Sequence, residues 1–221
     1  MTRRRPNRAL GGAAIAGERL RVTQTFFAVA LVLGFFAGRG VASTTLVTVP
    51  RFRSLNDALH AFDPGSPLYT VTRPSTGWVV VAGVGVALVY GLSVLAHELG
   101  HLAAARLVGV EVAAIELHAA GGFVEMNDDD ALTAGKLATI AGAGPLVTAA
   151  LTLVSGVALT ALGWPLTGTP VDTGADAALG RTLSAAFLIN ALGLATNLLP
   201  VRPLDGGHLL VAARLWRLRR G

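Results

Sequence analysis

The chain has 221 residues, 52% of them hydrophobic and only 14% charged, with a mean hydropathy of +0.60; this excludes an ordinary soluble domain and points to several membrane spans around one core. Cysteine is absent, which excludes a disulfide framework and any thiolate metal site. The net charge of +5 comes almost wholly from arginine grouped at the ends of apolar runs, a distribution that suits membrane topology and argues against a nucleic-acid partner.

Residues 1–21 are basic, rich in Gly and Ala and without a sustained period, and are expected to form a loosely ordered cytoplasmic segment. The uncharged run from Val22 to Gly38 reads as a first span, with Arg39 at its outer end. Residues 40–77 then leave the membrane, with a β-branched run at Thr44–Phe52 and a short capped helix at Ser54–His60 that Asp63-Pro64-Gly65 ends. A second span covers residues 78–108, and Gly83, Gly85 and Gly91 give it small faces that another helix can approach. Between Val110 and Met126 the pattern is too interrupted to span and predicts a strand and turn around Gly121-Gly122.

Asp128-Asp129-Asp130 marks a solvated acidic turn. The third span is expected over residues 137–164, an outer loop over 165–180, and the fourth span over 182–199. Arg214, Arg217, Arg219 and Arg220 with Trp216 make the basic tail at 211–221 an interfacial segment. The fold class predicted is thus an all-α membrane protein of about four transmembrane helices, with a short β or re-entrant segment after the second span. Residues 22–210 form the membrane-embedded domain. The arginine bias places both termini in the cytoplasm and the protein, multi-pass, in the cell membrane.

The chemistry concentrates in Ala96-His97-Glu98-Leu99-Gly100-His101, directly after the nineteen uncharged residues from Trp78 to Ala96. On a helix His97 and His101 lie one turn apart and face the same way, so their imidazoles can converge on one metal ion with Glu98 beside them. Such residues at the end of an apolar run are costly unless paired, coordinated or wet, so a functional site is the default expectation. Catalytic zinc takes three protein ligands and leaves a position to water. Asp205, in Asn197-Leu198-Leu199-Pro200-Val201-Arg202-Pro203-Leu204-Asp205-Gly206-Gly207, is the candidate third ligand, expected on irregular backbone at the depth of the histidines. Two neutral imidazoles and one carboxylate leave Zn2+ a net positive charge that can bring the pKa of its water to about 7. Glu98 is then the candidate catalytic base, and Asn197 or a backbone N–H can steady the oxyanion. The extended segment at Gly121 and Gly122 could receive a peptide by strand addition.

These elements together resemble the site-2 protease family of intramembrane zinc metallopeptidases. The resemblance covers residues 78–210 and rests on HELGH at 97–101, Gly121-Gly122, Ala143-Gly144-Pro145-Leu146 and NLLPVRPLDGG at 197–207. It implies zinc held by His97, His101 and Asp205, catalysis by Glu98, substrate binding by Asn197, and cleavage of transmembrane protein substrates within the lipid bilayer near its cytoplasmic side. Regulated proteolysis and signal-peptide clearance are the roles that it implies. There are two departures. The chain has no room for the PDZ or nucleotide-sensing domains that many bacterial members carry, and Thr148 stands where the family often has Asn after Gly-Pro-Leu. The alternative is a membrane zinc-binding protein without proteolysis, either a transporter or an inactive holder of client helices. No oligomeric state follows from the sequence.

Overall fold

The computed structural model describes residues 9–43, 76–119, 121–126, 132–167 and 175–219. The expected helix at Ser54–His60 and the Asp128-Asp129-Asp130 turn lie outside these residues. The elements in chain order are β1 (Ala9–Ile15), β2 (Glu18–Thr23), α1 (Gln24–Ser43), α2 (Thr76–Leu107), β3 (Val112–His118), β4 (Gly121–Met126), α3 (Ala134–Ala161), α4 (Ala175–Asn197) and α5 (Asp205–Leu218).

Three of these helices, α2, α3 and α4, are long and apolar enough to cross a membrane. The apolar part of α1, Gln24–Arg39, is shorter, so the expected first span coincides with a helix but not with one of full spanning length among the described residues. The helices are apolar outside and partly polar inside. Leu31, Phe36, Leu92, Leu146, Leu153 and Leu192 are exposed, whereas Thr148, Ser155, Ser184 and Asn190 are buried. That inversion is stable where the solvent is hydrocarbon, because polar side chains then gain by bonding across helices. Asn190 does this: its Nδ2 donates to Ser93 Oγ on α2 at 2.9 Å.

Small residues fix the helix spacing. Gly34 of α1 and Gly83 of α2 face each other so closely that a Cβ on Gly34 would lie 2.5 Å from the Gly83 carbonyl oxygen. Gly85 likewise meets Thr182 of α4. Helix α4 starts at Ala175, earlier than the expected Thr182. Ala175-Asp176-Ala177-Ala178 favours helix, and Ala177 and Ala178 bury themselves against Ala82, so the expected outer loop is shorter than its Gly and Pro content indicates.

The larger correction concerns the N-terminal residues. Far from being loosely ordered, residues 9–23 form two strands of a four-stranded sheet in the order β1-β2-β3-β4. β1 and β2 make an antiparallel hairpin, β2 runs parallel to β3 with Arg19 opposite Ala114 and Val22 opposite Leu117, and β3–β4 is antiparallel. The β segment after the second span is therefore half of a sheet. Arg106 at the end of α2 holds the hairpin through Glu18 (2.7 Å) and the Ala16 carbonyl, and Arg21 reaches Glu125 on β4 (3.1 Å). Beneath the sheet Phe26, Tyr90, Leu102, Ile115 and Leu117 form the main apolar core, with Phe26 and Tyr90 ring centroids 5.3 Å apart.

Replacing Gly34 by Leu drives a side chain into the α2 backbone. The variant is expected to lose about 1–3 kcal/mol of stability, read as a lower midpoint of thermal unfolding in detergent. An unchanged midpoint would mean that the α1–α2 crossing does not need the close approach.

Candidate metal centre

His97 and His101 occupy successive turns near the end of α2, and each is only 7% exposed. Their rings meet edge to face at 83°, with Nε2 atoms 3.1 Å apart. Asp205 closes the group: Oδ2 lies 3.1 Å from His97 Nε2 and Oδ1 lies 3.3 Å from His101 Nε2. One ligand atom from each residue falls within 4.8 Å of the others, as a single metal ion requires.

Asp205 is the first residue of α5 and does not sit on the irregular backbone expected. The irregular part is the preceding turn, closed by bonds from Leu204 N to the Val201 carbonyl (2.9 Å) and from His208 N to the Leu204 carbonyl (3.2 Å). The chain folds back so tightly there that a Cβ on Gly206 would collide with the Leu198 carbonyl. The helix thus starts where its first side chain meets the histidines.

The donor set fits a cation. His101 Nδ1 lies 2.7 Å from the Ile140 carbonyl, which can only accept, so Nδ1 carries the proton and Nε2 turns a lone pair toward the group. A lone pair facing a carboxylate oxygen at 3.3 Å is repulsive unless positive charge lies between them.

Helix α3 forms the back wall. Gly144 lies against both rings, and a Cβ there would come within 2.6 Å of His97 Nε2 and still closer to His101 Nε2. Two turns of this wall supply partners for the far ring nitrogens: the Ile140 carbonyl for His101, and Thr148 Oγ1, 2.8 Å from His97 Nδ1. Glu98, 2% exposed, stands beside the histidines, and its Oε2 has no hydrogen-bond partner among the described residues. On its other side is Gly122, where a Cβ would lie 2.6 Å from Glu98 Cγ.

A cavity of about 350 Å³ opens over this group. Gly121, Gly122 and Phe123 of β4 line one side, and Asn190, Asn197 and His208 another. The structure therefore brings together His97, His101 and Asp205 by direct contact, and Glu98, Gly121, Gly122 and Asn197 around the same cavity. The sequence marks Gly144 only as part of Ala143-Gly144-Pro145-Leu146 and Thr148 only as a departure from the family pattern, and assigns neither a place at the site. Their i, i+4 spacing on an apolar helix was the available signal. His118 and His208, to which the sequence assigns no role, also line the cavity.

Residues 85–168 match the model of Peptidase family M50. The resemblance to site-2 proteases is borne out by this match and by the relatives. A Mycobacterium tuberculosis protein named as a zinc metalloprotease, Rip3, is 38% identical over 143 residues, which cover 63% of this chain and 33% of that protein. A Synechocystis protein named as a zinc metalloprotease, sll0528, is 34% identical over 154 residues, 70% of this chain and 37% of its own length. The chain thus spans about a third of the length of the curated relatives it matches. Its fold is similar to that of the site-2 protease from Methanocaldococcus jannaschii, with a TM-score of 0.54 and 21% identity over 93% of this chain and 71% of that one. The M50 segment contains both histidines, Glu98, Gly122, Gly144 and Thr148, while Asp205 and Asn197 lie beyond it.

Gly144→Ala is expected to force the imidazoles apart and lower zinc bound per purified protein at least tenfold, measured by elemental analysis after dialysis against a fixed free-zinc buffer. Full zinc loading in this variant would show that α3 does not limit the space around the group.

Proposed function

We propose that this protein is an intramembrane zinc metalloprotease that hydrolyses peptide bonds of transmembrane protein substrates near the cytoplasmic side of the lipid bilayer. The convergence of two imidazoles and a carboxylate beside a buried, unpartnered carboxylate oxygen carries this reading. It is supported by the M50 match and by relatives named as zinc metalloproteases.

His97, His101 and Asp205 hold the zinc, which when bound supplies Lewis acidity and acidifies water at neutral pH. Glu98 is the general base: its free Oε2 accepts a proton from the attacking water and afterwards delivers it to the leaving amine. Asn197, at the end of α4 and on the cavity wall, steadies the developing oxyanion.

A helical substrate presents no free carbonyl, since each is bonded within the helix, so it must unwind before it can be cut. The edge of the sheet offers a place for the unwound stretch. β4 is the terminal strand, Gly121 and Gly122 line the cavity, and an extended peptide paired along β4 would run past Glu98. The N-terminal hairpin and the end of α2 lie on one side of the helices, joined through Arg106 and Glu18. This arrangement and the arginine bias support a reading in which the centre and both termini face the cytoplasm. Regulated proteolysis or clearance of signal-peptide remnants is the role we assign.

Glu98→Gln keeps the shape of the side chain and removes the base. Cleavage is expected to fall at least about a hundredfold while zinc binding persists, and a comparison of membrane proteomes with and without the substitution should reveal uncut substrate. Proteolysis at the parent rate by the purified, zinc-loaded variant would overturn the mechanism.

A further inference from the structure

We infer that Thr148 fixes the tautomer of His97 and thereby sets the affinity of the metal centre, acting as a positioning residue and not as a ligand. This rests on the reading of His97, His101 and Asp205 as metal ligands.

Thr148 is 4% exposed, and its hydroxyl touches two groups: His97 Nδ1 at 2.8 Å and the Gly144 carbonyl at 3.2 Å. A hydroxyl has one proton to give. The carbonyl can only accept, so the arrangement that satisfies both contacts sends the Thr148 proton to Gly144 and leaves an Oγ1 lone pair facing the imidazole. His97 Nδ1 is then the protonated nitrogen and donates to Thr148. Its Nε2 is left with a lone pair aimed between His101 Nε2 and Asp205 Oδ2, each 3.1 Å away.

The same tautomer is imposed on His101 by the Ile140 carbonyl. One face of α3 therefore orients both rings, with Ile140 and Thr148 two turns apart and Gly144 between them. The two devices differ in kind. The Ile140 carbonyl belongs to the backbone and is present whatever the side chain, whereas the Thr148 hydroxyl can be deleted by substitution. Without it the His97 Nδ1–H would be buried with no acceptor, at a desolvation cost. The ring would then shift its proton to Nε2, where Asp205 Oδ2 accepts it. That proton occupies the lone pair a metal needs, so metal must compete with an internal hydrogen bond.

The test measures Zn2+ affinity of the purified full chain by competition with a chromophoric chelator. Thr148→Val, which keeps the shape, and Thr148→Ala are expected to weaken binding by about 10–100-fold. Thr148→Ser, which restores a hydroxyl, is expected to lie within about threefold of the parent. Thermal unfolding of the metal-free Val and Ser variants is expected to coincide, which a role in packing alone would not produce alongside a difference in affinity. Parent-like affinity in both hydroxyl-less variants, or failure of Ser to rescue, would overturn the assignment to Thr148 and leave the metal centre intact. A parent chain that binds no zinc would overturn the metal reading itself, and this inference with it.

Discussion

Three acceptor-bearing side chains are packed into a buried space where they repel one another unless a cation sits among them. His97, His101 and Asp205 bring Nε2, Nε2 and carboxylate oxygens to 3.1–3.3 Å separations, distances natural for ligands of one ion and unfavourable for unshared lone pairs. Holding them there is work that the surrounding fold must do. Helix α2 supplies two imidazoles at helical spacing, the first residue of α5 supplies the carboxylate, and α3 packs against both helices and carries the groups that meet the far ring nitrogens. Gly144 is the point where all three meet, since any side chain there would fill the space of the ligand atoms.

What was legible in the sequence divides along the range of the interactions involved. The pairing of His97 with His101 is a property of one turn of helix, so spacing alone revealed it. Asp205 was legible because Pro200, Pro203, Gly206 and Gly207 announce a break at the depth of the histidines, although the carboxylate rides on the first residue of a helix and not on the break itself. The N-terminal strands were not legible. Ala9-Leu10-Gly11-Gly12-Ala13-Ala14-Ile15 has little intrinsic preference for strand, and the partner of β2 lies more than ninety residues away at β3. What makes 18–23 a strand is the vacant edge of β3 together with ion pairs from Arg106 to Glu18 and from Arg21 to Glu125, none of which local composition encodes. Thr148 was hidden for a related reason: which way a residue on an apolar helix points is decided by how the helix rolls against its neighbours, and the seam was visible only once Gly144 had been seen against the imidazoles.

The apolar exterior and polar seams of the helices bear on how such a centre can exist inside a bilayer. Several polar groups on α3 and α4 are satisfied locally, Thr152 Oγ1 by the Thr148 carbonyl and Asn190 Nδ2 by Ser93 and the Ala186 carbonyl. Glu98 differs, because one carboxylate oxygen has no such partner among the described residues. An unsatisfied carboxylate oxygen is far more expensive to bury than the unpartnered hydroxyl of Ser184, and Glu98 carries it on the wall of the cavity, where under the proposed function a water molecule would meet it.

The placement of the sheet follows from the same economy of contacts. Glu98 packs against Gly122 of β4, and β4 in turn is tied through β3 and β2 to Arg106 at the end of the very helix that carries Glu98. This closed circuit, α2 to β4 to β3 to β2 and back to α2, ties Glu98 and the edge strand together. Under the proposed function, a peptide that pairs with β4 would be held beside Glu98 by main-chain hydrogen bonds. Main-chain pairing favours any helix that readily yields an extended stretch, so ease of unwinding enters substrate selection alongside the side chains that the cavity accepts.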